Sequence, residues 1–167
     1  HHKIIYANTY FREHINEFPN LKKHLDRFSK VLTSAYAPYG LHRAREEKFF
    51  SGGCIFSIRK TKRPAFSYVE FPCYVTRAFM ILKLEKVNQK YILGILNSNL
   101  MYFWLKSRGK LQGAQLQVDK EPILDLPIFV SDEKSQKVVI SSVEEMLSLQ
   151  KELREVPEHS EKWERIK

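Results

Sequence analysis

Gln89-Lys90-Tyr91-Ile92-Leu93-Gly94-Ile95-Leu96-Asn97-Ser98-Asn99-Leu100-Met101-Tyr102-Phe103-Trp104-Leu105 carries apolar side chains on more than one face of a helix. A helix that is hydrophobic nearly all round belongs inside a core, so the pattern predicts one largely buried helix over 89–105. Gly94 lies in its interior, where glycine costs about 1 kcal/mol relative to alanine. That cost predicts another element packed closely against it. The run Tyr102-Phe103-Trp104 is expected to be core, not a platform for stacking bases.

Working outward, the residues after this helix change character. Gly109-Lys110-Leu111-Gln112-Gly113-Ala114-Gln115-Leu116-Gln117-Val118-Asp119-Lys120-Glu121-Pro122 reads as an exposed loop, with Arg108 just before it. Glycine lets a backbone approach a bulky partner. Arg108 and Lys110 can neutralise phosphates, and the amides of Gln112, Gln115 and Gln117 can offer a donor and an acceptor to an adenine edge. Pro122 to Ile128 is expected to be extended, because each proline disfavours helix at the residue before it. Val139, Val143, Met146, Leu149, Leu153 and Val156 recur at steps of three and four, predicting a long amphipathic helix from Ser135 to Val156 that Pro157 ends. Its seam is read as an intramolecular packing surface or spacer.

Upstream, Cys54–Ile58, Phe66–Val69 and Ala78–Leu82 are strand candidates among short β-rich runs broken by Gly and Pro. Ile4-Ile5-Tyr6 is a further short strand candidate. Leu21, Leu25, Phe28 and Leu32 fall on one face of a helix that opens near Pro19. Ser34 to Leu41, with Pro38 and Gly40, reads as a loop. Between Arg43 and Arg63 lie seven cations (Arg43, Arg45, Lys48, Arg59, Lys60, Lys62 and Arg63) against only Glu46 and Glu47.

The 28 Lys and Arg outnumber the 19 Asp and Glu, for a net charge of +9 over 167 residues. Such an excess favours a polyanionic partner, nucleic acid before an anionic membrane. The length suits one domain with a sizeable core. Cys54 and Cys73 make neither a metal-site spacing nor a disulfide framework, and are read as reduced core residues of a cytoplasmic protein. No run is long enough to span a bilayer, and no signal-peptide pattern is present. The opening His1-His2-Lys3 lacks a methionine, so the chain is expected to be an excised piece with tag remnant or native linker at its start.

Catalytic signatures are missing. No glycine-rich nucleotide loop occurs, no Asn-Pro-Pro-Tyr type motif of an amino-methylating site, and no ligand spacing among His14, His24, His42 and His159. Glu46 and Lys48 form a lone ExK pair that could echo a nuclease site, but two surface residues are the simpler reading. The chain is not expected to be an enzyme by itself, nor to hold a cofactor or metal.

Three stretches together carry a resemblance: His42–Phe50, Tyr91–Leu100, and Gly109–Pro127 with its Asp119-Lys120-Glu121-Pro122. The set resembles the TaqI-like C-terminal specificity domain of adenine-specific DNA methyltransferases, above all the version in fused type IIG restriction-modification enzymes. The resemblance implies a target-recognition domain that clamps double-stranded DNA against a catalytic domain of the same polypeptide. That domain would bind S-adenosylmethionine and flip out the adenine, with magnesium a further candidate in the parent protein's other domains.

The expected architecture is α+β, with an irregular β-rich core, a packed internal helix and a long C-terminal amphipathic helix. Residues 1–130 are expected to form the DNA target-recognition domain and 131–167 a helical spacer or packing region, in a monomer. Arg43, Arg45, Arg59, Lys60, Arg63, Arg108 and Lys110 are the expected DNA contacts, with Gln112, Gln115 and Gln117 as candidate base readers. Two alternatives stand beside this: a protein-interaction or specificity subunit docking on a separate methyltransferase through the seam, and an autonomous nuclease using Glu46 and Lys48.

Overall fold

The computed structural model describes residues 4–167, so the opening histidines lie outside the described residues. The chain divides into two compact units, one running up to Glu47 and one from Lys48 to Lys167. As expected, the whole is α+β.

In the first unit, α1 (Thr9–Glu13) is capped by Asn8, whose side chain accepts from the Phe11 amide. A 3-10 turn (Ile15–Glu17) leads into α2 (Pro19–Asp26), with Pro19 in the first turn. Ala7, Phe11 and Ile15 make a small buried cluster, against which Phe18, Leu21, Leu25 and Tyr39 pack. Two expectations fail here. The helix stops at Asp26 and gives way to turns; its apolar stripe finds the cluster through Leu25, while Phe28 and Leu32 remain 39% and 41% exposed. Ile4-Ile5-Tyr6 is not a strand. Instead Tyr6 is held by its side chain, its hydroxyl donating to the Arg45 carbonyl (2.8 Å) and accepting from the Arg45 amide (2.6 Å).

The second unit holds the main core. β1 (Cys54–Ile58) is the centre of an antiparallel sheet, flanked by β3 (Phe66–Val69) and β4 (Phe79–Leu82). Cys54, Ile55, Phe56 and Ser57 are all buried, so both faces of β1 are covered. Cys73, in contrast to the expectation, is only half-buried; both thiols are free. A second small sheet is built from β2 (Lys60–Thr61), β6 (Gln115–Gln117) and β5 (Lys110–Gln112), in the order β2-β6-β5. Arg59 joins the two sheets through its backbone. Its amide donates to the Ala78 carbonyl and its carbonyl accepts from the Val118 amide.

The single helix expected over 89–105 is two: α3 (Gln89–Leu96) and α4 (Asn99–Arg108). Asn97 and Ser98 break it by offering the backbone better partners. The Asn97 amide accepts from the Phe66 amide and donates to the Phe66 carbonyl, both at 3.0 Å, pairing with β3 as a strand would. Ser98 turns extended and its hydroxyl caps α4 by accepting from the Met101 amide. The restart turns Met101 and Leu105 inward and leaves Phe103 68% exposed, so Phe103 is not core.

After β6 comes α5 (Lys120–Leu124), where an extended segment was expected. Pro122 is tolerated because first-turn amides have no intrahelical acceptor. The long helix is present as α6 (Glu133–Glu155), capped by Asp132. It packs across α3 with Val139, Ile140, Val143 and Leu147 against the core, and Lys90 pairs with Glu144 at 2.7 Å. Gly94 is the point of closest approach: a Cβ there would lie 2.8 Å from Val139 Cγ1. The last helix, α7 (Glu161–Ile166), is capped by Ser160. Among the described residues no helix is long and apolar enough to cross a membrane.

Candidate nucleic-acid interface

The segment expected to be a loop is a β-hairpin. Lys110 pairs with Gln117, Leu111 with Leu116 and Gln112 with Gln115, leaving Gly113 and Ala114 as a two-residue turn. Gly113 has φ +61°, which suits the first loop position of a type II′ hairpin turn, a place for glycine. The sequence carried the signal in its alternation, Lys-Leu-Gln before Gly-Ala and Gln-Leu-Gln after it.

Register turns that alternation into a surface. Directly paired residues project from the same face of a sheet, and successive residues from opposite faces. Lys110, Gln112, Gln115 and Gln117 therefore share one face, and Lys60, which pairs with Gln117 across β2, shares it too. On the other face Leu116 is buried in the core, and the adjoining Val118 is buried with it. The polar face is thus backed by the hydrophobic core at its centre, while Gln112 and Gln115 ride out on the exposed turn.

Asp119 anchors the inner end of this face and was missed as a site residue. Its carboxylate accepts from Arg59 Nη2 at 2.8 Å and from Gln117 Nε2, which lies 2.8 Å from both oxygens. The Gln117 amide above all, then the Arg59 guanidinium and the Lys110 charge, hold the Asp119 carboxyl below the usual carboxylate value, against partial burial acting the other way. The signal was again alternation: Gln115, Gln117 and Asp119 are spaced by two.

Arg63, just after β2, reaches across to α4, and Arg108 is the last residue of α4. The Arg63 guanidinium lies 5.0 Å from the centre of the Tyr102 ring and donates to Asn99 Oδ1 at 2.6 Å. Arg108 lies 5.2 Å from the Trp104 ring, and the Trp104 indole donates to the Pro122 carbonyl at 3.1 Å. Asn99, Tyr102 and Trp104 thus position cations, a role that composition alone did not suggest. Lys60, Arg63, Arg108 and Lys110 are exposed and Arg59 is half-exposed. Arg43 and Arg45 belong to the first unit, where both are exposed. Glu46 and Lys48 fall on either side of the boundary between the units. Among the described residues no group of three or more His, Cys, Asp or Glu could hold a metal ion.

Two curated relatives from Haemophilus influenzae, the type II methyltransferases M.HincII and M.HindII, are each 29% identical to this chain over 131 residues. The match covers 71% of this chain but only 26% and 25% of theirs, so the chain spans about a quarter of the length of either relative. The family model of the TaqI-like C-terminal specificity domain matches residues 2–128, which include the whole hairpin and both helices behind it. The chain belongs to the TaqI-like C-terminal specificity domain family.

Proposed function

We propose that this chain reads the sequence of double-stranded DNA for a restriction-modification enzyme that methylates adenine. The observation that carries the reading is the polar face of the β2-β6-β5 sheet, where Lys60, Lys110, Gln112, Gln115 and Gln117 are brought onto one side of a hairpin backed by the core. A two-stranded ribbon fits the major groove, where amide side chains meet base edges and lysines meet phosphates. Arg63 and Arg108, held over aromatic rings, extend the cationic surface along α4. Arg43 and Arg45, both exposed in the first unit, are further candidate DNA contacts. Arg59 differs, because its guanidinium is engaged by Asp119.

Methylation itself belongs to a catalytic domain of the same polypeptide. That domain binds S-adenosylmethionine and receives the flipped base. The relatives named as type II methyltransferases, which are much longer than this chain, support that division of labour.

Salt dependence tests the duplex contact. Each phosphate contact contributes about 0.9 to the slope of log affinity against log salt. The Lys60→Ala, Lys110→Ala double variant should lower that slope by about 2. An unchanged slope would place the phosphate contacts elsewhere. Grafting residues 109–119 into a related methyltransferase should change the sequence around its methylated adenines. An unaltered methylation pattern would sink the specificity role.

A further inference from the structure

We infer that Gln117 presents its amide oxygen to DNA and reads an exocyclic amino group, adenine N6 or cytosine N4, with Asp119 as the positioning residue that sets this orientation. The inference rests on the proposal that the β2-β6-β5 face recognises a duplex, and it names what one position of that face selects.

A glutamine side chain has a donor end and an acceptor end of nearly equal size, and a free one turns either way. Gln117 is not free. Its nitrogen is 2.8 Å from both oxygens of Asp119. Turned over, its oxygen would meet a carboxylate with no proton between the two acceptors, an arrangement that costs rather than stabilises. The nitrogen end is therefore held by the protein, and Gln117 Oε1 has no protein partner among the described residues.

Asp119 is itself fixed. Arg59 Nη2 donates to it at 2.8 Å, and the Arg59 main chain is tied at both ends, to Ala78 and to Val118. Asp119 is also the N-cap residue of α5, yet its carboxylate makes no hydrogen bond to that helix. An aspartate at an N-cap ordinarily accepts from the first-turn amides. Here the carboxylate is turned instead to Gln117 and Arg59.

The major groove makes this orientation informative. At the outer edge of a base pair, adenine and cytosine present amino donors where thymine and guanine present carbonyl acceptors. An oxygen held outward accepts from the first pair and opposes the second. Gln117 so placed separates amino from keto bases on the strand it faces.

The test is selection of bound duplexes from a pool randomised in its central base pairs, using the full chain and two variants at one salt concentration. Wild type should enrich a sequence with adenine or cytosine at one position of one strand. Gln117→Leu should lose the amino-over-keto preference there by about tenfold or more, the worth of one good base contact, with the other positions unchanged. Asp119→Asn should relax the same position, because an asparagine held by Arg59 through its oxygen turns its own amide nitrogen toward Gln117 and admits the reversed orientation. Gln117 lies on the open face of the sheet, so Gln117→Leu decides the matter if Asp119→Asn folds poorly. A defined wild-type sequence that both variants retain in full would overturn the inference and leave duplex recognition standing. So would a uniform loss at every position in Gln117→Leu. A wild-type chain that enriches no sequence would remove the recognition reading, and the inference with it.

Discussion

Gly94→Ala isolates the contact that seats the C-terminal helix on the core. The added Cβ would lie 2.8 Å from Val139 Cγ1 and 3.1 Å from Val143 Cγ2. Carbon atoms pack best at about 3.5–4.0 Å, so α6 must retreat by most of an ångström or Val139 must leave its rotamer. A β-branched valine on a helix has essentially one rotamer to occupy. Overpacking of this kind costs about 1–3 kcal/mol. Against it stands the gain of about 1 kcal/mol from replacing glycine inside a helix. The expected net is a destabilisation of about 1 kcal/mol, read in urea as a lower midpoint at constant slope. Val139→Ala removes the opposing methyls, so the double variant should recover at least about 1 kcal/mol relative to the sum of the single changes. A more stable Gly94→Ala, or strict additivity in the cycle, would refute the close approach.

Gly113→Ala meets no atom within 4 Å, so its cost comes from the positive φ alone and should be about 1–2 kcal/mol in thermal or urea unfolding; a neutral result would mean the turn is not of the type described. Asn97→Ala leaves the Phe66 amide without its acceptor and should cost about 1–3 kcal/mol. Asn97→Asp should also destabilise, because a carboxylate oxygen then faces the Phe66 carbonyl; a surface-like tolerance of both changes would contradict the strand-like pairing. The Asp119 carboxyl has a lowered value in the folded chain, so its contribution is full above about pH 4, the unfolded value, and is lost as pH falls through the lower folded value. The stability gap between wild type and Asp119→Asn should therefore be constant near neutrality and close in acid; a gap independent of pH down to acid unfolding would rule out the ionised pairing.

How much was legible from residues alone varied with how local the deciding physics was. Strands β1, β3 and β4 and helix α6 were readable because apolar periodicity and turn residues report directly on what faces a core. The close packing at Gly94 was readable for a related reason, since an interior glycine in an apolar helix is costly without a neighbour to accommodate. The break at Asn97-Ser98 was hidden by apolar residues on both sides, although a serine three residues before Met101 is a capping signal. The hairpin was written in two-residue alternation that the glycines and glutamines made look like a loop.

The sequence by itself determined the chemistry on offer: a net charge of +9, cations and amides clustered around a glycine pair, and no catalytic motif. Only the tertiary structure decided which of these groups act together. Lys60 and Gln117 are far apart along the chain and become neighbours because β2 pairs with β6. Arg59 and Asp119, separated by 60 positions, meet because the backbone of Arg59 bonds to Val118. Periodicity reports which side of an element is buried, but cross-strand register fixes which polar groups share a face, and register depends on pairing between distant segments. That pairing turned Gln117 from one of three equivalent amides into the one whose nitrogen is held by Asp119.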